Sequence, residues 1–485
     1  MRRLATSLVI LTLASTLPAG PATAAVPIVR LRVYDANGRR LSYAGVIAIS
    51  TGGPRGWRSD ATYRVSDASI VAMPALVDDG GEAAFPLTET GVGLTLAWPT
   101  AHTGYSTLLI DDGGAGFSSS QTVNLTFRAA LDYRRKLDEA IARRPAFRPT
   151  PRFRLLDARA TALVDAALRG PDAPTRGALG QQALDALAEA FGSLLEADGR
   201  QEGASRAPWW GVTVDRRNRS NAVIDSIGAL VDHRPGAAYV RIVFDPGVGP
   251  NAYDAIIREA ERQGVVVMGQ VVDSSAMRHL TLEAFEARWR AYVDHFPDIH
   301  VWEVGNEVNG EWLGHDVASK VDYAAAYVKQ ADPADTTVLT LFWQMGTAGG
   351  PASTVFQWAR DQISPALAAN TDVIALSTWV GGAPLGIAHD EVFERLHALF
   401  PGKRVAMGEL GYWEPGTSRV WWWRSRHDPT TTVRAALARH MYLANLAFPY
   451  SVGGVFWWYY ATEMSRRQPL WHVLHRVVGS VEGTS

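Results

Sequence analysis

From Pro208 onward the chain repeats one grammar eight times: a short apolar run, then an amphipathic stretch of helical period. The apolar runs fall at about 209–215, 238–245, 265–273, 299–307, 337–345, 371–380, 403–412 and 453–460. Helical segments follow near 219–233, 251–263, 281–296, 317–332, 351–368, 389–400, 430–447 and 469–478. Apolar strands separated by amphipathic helices mark a parallel sheet covered by helices. Eight such units in about 270 residues match the usual size of a closed barrel. No Gly-x-Gly-x-x-Gly loop follows the first strand, as a dinucleotide-binding sheet would require. The expectation is an α/β fold in which residues 208–480 form a (β/α)8 TIM barrel.

The part before the barrel reads as three pieces. Residues 1–25 have the form of a signal peptide: Arg2 and Arg3, an apolar stretch from Leu4 to Leu17, and Ala22-Thr23-Ala24 as a small-residue cleavage site. That stretch is short for a bilayer span, so export without membrane insertion is expected. Residues 26–128 read as a small all-β, sandwich-like domain, with strand runs at Ile28–Tyr34, Gly45–Ser50, Ala61–Val65, Val92–Trp98, Tyr105–Ile110 and Thr122–Phe127. Asn37-Gly38 marks a tight hairpin, and Asp111-Asp112-Gly113-Gly114 a turn, its ligand pattern incomplete for calcium. Residues 129–207 form a helical connector, with helices at Leu131–Arg144, Leu155–Leu168 and Gly177–Leu195 and a polar linker at Gly199–Ser205. The chain has no cysteine, so an exported form is held by its core alone.

A formal charge of −2 with no long run of one sign argues against nucleic acid or an anionic membrane as the partner. Tryptophan points elsewhere: 15 of the 17 lie at or beyond Trp209. Flat aromatic faces pack against sugar rings, although the same side chain fills cores.

Barrel active sites lie at the C-terminal ends of the strands. The fourth run ends Trp302-Glu303-Val304-Gly305-Asn306-Glu307, and the seventh Gly408-Glu409-Leu410-Gly411. Each sets a carboxylate where an apolar strand opens onto the top face. Two carboxylates across one pocket are the minimum kit for cleaving a glycosidic bond, one holding a proton and the other staying ionised. These segments resemble the retaining glycoside hydrolases of the 4/7 superfamily (clan A), over the barrel only. Trp302–Glu307 is similar to that clan's Trp-Glu-Ile-Trp-Asn-Glu form, and Gly408–Gly411 to its Gly-Glu-Phe-Gly form. Their 102-residue spacing is three βα units. The resemblance implies Glu307 as acid/base and Glu409 as nucleophile, with carboxyl groups roughly 5–5.5 Å apart; the aromatic surface and the export signal favour a poly- or oligosaccharide substrate. A sugar-binding barrel without activity is the rival reading.

The same resemblance gives Asn306 a hydrogen bond to the sugar 2-hydroxyl and sets Arg241 beside the nucleophile. As a charge within a strand, Arg241 needs a partner in Glu303 or Glu409. Phe456-Trp457-Trp458-Tyr459 is expected to supply an aromatic floor, and Trp343, Trp379 and Trp413 a stacking surface near strand ends. Trp421-Trp422-Trp423 either walls the cleft or staples its loop. Asp215, Asp245 and Asp273 end the first three runs, as sugar contacts or as helix caps. The clan carries a His or Tyr below its nucleophile at strand six; here Trp379 stands there and cannot accept a hydrogen bond, so support for Glu409 is expected from elsewhere. No cofactor is called for. None of the 12 histidines forms His-x-His or His-Glu-x-x-His, so a metal-dependent barrel hydrolase is a poor fit.

Overall fold

Among the described residues eight strands precede the barrel: β1 (Ile28–Arg32), β2 (Ala61–Arg64), β3 (Ile70–Ala72), β4 (Val77–Asp79), β5 (Glu82–Pro86), β6 (Val92–Thr100), β7 (Gly104–Ile110) and β8 (Gln121–Asn124). The computed structural model describes residues 26–35, 37–50, 58–214, 220–231, 234–346, 349–379, 384–412, 428 and 430–481. The signal-like segment, Asp215, Trp413 and Trp421-Trp422-Trp423 lie outside the described residues. The eight strands make two four-stranded sheets, in the orders β4-β5-β1-β8 and β3-β2-β6-β7. Val29, Leu31 and Phe85 of the first share one core with Leu94, Leu96 and Leu108 of the second. Residues Gly45–Ser50, expected as a strand, belong instead to helix α1 (Tyr43–Ser50). A short apolar run with β-branched residues has no period that separates strand from helix. The Ser42 hydroxyl, which accepts from the Gly45 amide at 3.2 Å, opens the helix.

Helices α2 (Leu125–Ala142), α3 (Pro151–Arg169) and α4 (Ala173–Glu202) follow. Thr150 and Asp172 cap α3 and α4, accepting from the Phe153 and Thr175 amides, with Pro in each first turn. The polar stretch expected as a linker from Gly199 is the last turn of α4 and a 3-10 turn at Gly203–Arg206. Its Arg, Gln and Glu are sound helix formers, and polarity alone does not end a helix.

The eight repeats form β9 (Trp209–Val214), β10 (Ala237–Val243), β11 (Val266–Gln270), β12 (Val301–Gly305), β13 (Thr336–Phe342), β14 (Val373–Trp379), β15 (Arg404–Gly411) and β16 (Ser451–Trp457). All neighbours are parallel and the sheet closes on itself, β16 against β9. Between and after them lie α5 (Asn221–Gly228), α6 (Asp254–Arg262), α7 (Ser274–Met277), α8 (Leu282–His295), α9 (Val317–Ala331), α10 (Val355–Gln362), α11 (Pro365–Ala369), α12 (His389–Leu399), α13 (Thr432–Ala444) and α14 (Pro469–Gly479). This is the (β/α)8 barrel that the repeat requires, preceded by a small unit of two β-sheets that also holds α1. The N-terminal unit packs on the barrel through buried charges. Arg144, just past α2, pairs with Asp390 of α12 at 2.8 Å and with Asp198 of α4 at 3.1 Å, and Lys136 with Glu391 at 2.8 Å. No helix among the described residues is long and apolar enough to cross a membrane.

Candidate active site

Alternate residues of each strand face the barrel interior. Toward the lower part of the barrel they are mostly apolar: Trp209, Met268, Val301, Val338, Val373, Ala375, Ala406 and Val452 form one cluster, which Phe456 joins from near the end of β16. Further along, the same faces turn polar, with Thr213, Arg241, Gln270, Glu303, Thr340 and Ser377, all nearly or fully buried. Stacked layers fill such a barrel, so the upper layer is the floor of any top-face site.

Two irregularities set the carboxylates on that floor. In β15 the register against β14 passes from Leu376↔Met407 to Ser377↔Glu409, skipping Gly408. With Ala406 inward, strict alternation would turn Glu409 outward; one extra residue reverses it. Gly408 is needed there, because a Cβ would lie 2.5 Å from Thr340 Oγ1. β12 shifts likewise between Glu303 and Gly305. Glu307, just past β12, has φ +51°. Such a conformation in a non-glycine residue costs on the order of 1–3 kcal/mol and persists only where its surroundings hold it.

The two carboxylates have different company. Glu409 Oε2 accepts from Arg241 Nη2 at 2.8 Å and from Asn306 Nδ2 at 3.4 Å, and Oε1 accepts from the Trp379 indole at 2.9 Å. Glu307 accepts from two neutral hydroxyls: Ser377 at 2.7 Å on Oε1 and Ser274 at 2.9 Å on Oε2. Arg241 also reaches Glu303 at 3.2 Å, the Gly408 carbonyl at 2.9 Å and Thr213 at 3.1 Å. Both alternatives for its partner therefore hold at once. Thr340 donates to Glu303 at 2.5 Å.

Burial pushes the Glu307 carboxyl up to about 8, the neighbouring Glu409 charge adding to it and the two serine hydroxyls opposing. Burial raises Glu409 as well, but the Arg241 charge and hydrogen bond and the Trp379 N–H pull it back. Burial lifts Glu303 to about 7 against the pull of Arg241. One guanidinium cannot balance three buried carboxylates, so protons must remain. The donors differ: a fixed cation and two N–H groups favour the charged form of Glu409, whereas Glu307 meets only two neutral hydroxyls.

Trp379 therefore supports Glu409 directly, correcting the expectation that support came from elsewhere. A carboxylate needs a donor, and the indole N–H is one. Trp458 stands over Arg241 at 5.2 Å and edge-on to Trp379 at 6.3 Å. Trp457 points the opposite way, fully buried, its N–H on Glu463 at 3.0 Å. Trp343 is also core, packed edge-on against Phe356. Asp245 accepts the Tyr253 hydroxyl at 2.6 Å, and Asp273 caps α7 through the Ser275 amide. Asp273 still raises both Glu307 and Glu409 by its charge. Asn306 Oδ1 and both polar ends of Gln270 are buried without a protein partner. Ser274, Ser377, Thr340 and Gln270 carry no signal in the sequence that marks them for the site.

No family model matches the chain, and no curated protein does. Among solved structures it is similar to a GH10 xylanase from Thermobacillus composti, at 15% identity over 57% of this chain and 97% of that one, TM-score 0.37. It is also similar to a family 1 β-glucosidase from Thermotoga maritima (11%, 57% and 98%, TM-score 0.38). An intracellular xylanase from Thermoanaerobacterium saccharolyticum in complex with xylotriose gives 15%, 53% and 88%, TM-score 0.35. Likenesses this distant set neither family nor activity, so any function must be read from the site's own geometry.

Proposed function

We propose that the chain is an exported retaining glycoside hydrolase that cleaves O-glycosidic bonds of a poly- or oligosaccharide. The reading is carried by the unequal partners of two buried carboxylates on one barrel floor: Arg241, Trp379 and Asn306 on Glu409, two serine hydroxyls on Glu307. In the first step the Glu409 carboxylate attacks the anomeric carbon while Glu307 gives its proton to the leaving oxygen. In the second, Glu307, now ionised, takes a proton from the attacking water, and the ester to Glu409 breaks with configuration retained. Arg241 and the Trp379 N–H counter the charge on Glu409 as it leaves. The unpartnered Oδ1 of Asn306 accepts a hydrogen bond from a sugar hydroxyl, and Trp458, beside Arg241, offers an aromatic face.

The deciding experiment offers an activated aryl glycoside panel to the parent chain and to Glu409→Ala, with and without azide. Turnover by the parent, its loss in the variant and its return with azide are expected. A parent that binds saccharide yet turns over nothing is instead the inactive sugar-binding barrel.

A further inference from the structure

Far from the barrel mouth, three side chains from three parts of the sequence converge. His102 lies in the turn between β6 and β7, Glu196 in α4, and His440 in α13, so the cluster joins the N-terminal unit to the barrel. His102 Nε2 is 3.3 Å from His440 Nδ1, which is 3.3 Å from Glu196 Oε1. Each residue offers one ligand atom, and the three atoms all lie within 4.8 Å of one another. Zinc–nitrogen and zinc–carboxylate bonds of about 2.0–2.1 Å place neighbouring ligands of a tetrahedral ion about 3.3–3.4 Å apart. Both measured separations match that edge.

The surroundings also favour a built site. Gly192 stands one turn before Glu196 on the same face of α4, and a Cβ there would lie 2.5 Å from His102 Nε2. The helix therefore leaves room for the imidazole that comes down on it. The second carboxylate oxygen of Glu196 faces Arg200 and Arg439, each at 3.6 Å, which orients Oε1 toward the histidines. His440 and Glu196 are buried and His102 is half-buried.

We infer that His102, Glu196 and His440 form a zinc-type divalent-metal site that staples the N-terminal unit to the barrel. Two imidazole nitrogens and one carboxylate suit zinc better than magnesium or calcium, which prefer all-oxygen shells. Binding requires the protons to sit on His102 Nδ1 and His440 Nε2, leaving the facing nitrogens as donors of lone pairs. The ion is structural: none of its ligands belongs to the carboxylate floor.

The test uses the untagged full chain, stripped with chelator, reloaded with zinc chloride and desalted. Metal per chain is measured by mass spectrometry, and the thermal midpoint with zinc and with chelator. About one zinc per chain and a midpoint raised by zinc are expected. His102→Ala, in a part-exposed turn, and Glu196→Gln should both lose the ion and the zinc-dependent rise. Cobalt(II) in place of zinc should give the intense visible bands of a tetrahedral site in the parent only. Failure of the parent to retain zinc overturns the assignment, as does equal retention by both variants.

Discussion

Ser377 and Trp379 stand on the same face of β14, two residues apart, and each holds one of the two carboxylates: Ser377 donates to Glu307 at 2.7 Å and Trp379 to Glu409 at 2.9 Å. One strand end thus fixes the spacing of the two carboxylates, and a displacement of β14 moves both. The two donors also differ in what they do to ionisation, which separates their variants.

Trp379→Phe keeps most of the packing and removes the indole N–H. A hydrogen bond to a charged group contributes about 1.5–3 kcal/mol, so kcat should fall roughly tenfold to a hundredfold. The bond lowers the Glu409 pKa. Without it the carboxylate protonates more readily, and the acidic limb of the pH–rate profile should move to higher pH. An unchanged acidic limb would remove Trp379 from the machinery.

On the proposed mechanism the basic limb belongs to Glu307, whose proton goes to the leaving group. Burial sets that carboxyl to about 8, so kcat/KM on a substrate with a poor leaving group should decline near pH 8. The Ser377 and Ser274 hydroxyls lower that value. Ser377→Ala and Ser274→Ala should each shift the limb upward, whereas a purely structural serine would leave it in place. Aryl glycosides with good leaving groups should show a weaker limb, because they need little protonation.

Much of this was legible in the sequence. The eight units were readable because each strand and helix carries its own period, and Glu307 and Glu409 stood out because Asn-Glu and Gly-Glu close the fourth and seventh runs. What sequence could not supply was the phase of each pleat. The skip at Gly408 decides that Glu409 faces inward, and the same alternation turns Trp458 inward and Trp457 outward. Serines are too common to mark Ser274 and Ser377. Their role exists only once the strand ends beneath Glu307 are brought together. His102, Glu196 and His440 share no local spacing, so only the packed helices reveal them.

Glu307 should also leave a mark on stability. Unfolded, its carboxyl titrates near 4.5; folded, near 8, so the native state holds the extra proton between those values. Stability from this group is therefore present at low pH and falls as pH rises through that window. Glu307→Gln removes the ionisation with little change of shape. The variant should melt above the parent at pH 8, with the gap closing toward pH 5, while turnover drops on the order of 10²–10⁴-fold. A variant less stable than the parent throughout would show that Glu307 is ionised in the folded protein.

Arg241 carries the opposite liability. It is fully buried and paired at 3.2 Å with Glu303 and at 2.8 Å with Glu409. Removing one partner of a buried pair costs about 3–5 kcal/mol, since the remaining charge is left uncompensated. Arg241→Met should therefore lower the denaturant midpoint strongly and push the acidic limb upward, because Glu409 loses its fixed cation. Adding Glu303→Gln removes one of the two stranded carboxyls. The double variant should regain a substantial part of the stability but none of the activity. If Glu303 were the sole functional partner of Arg241, the second change would restore the acidic limb as well. Urea melts paired with pH–rate profiles on the two variants separate these outcomes, because stability reports both carboxylates and the acidic limb reports Glu409 alone.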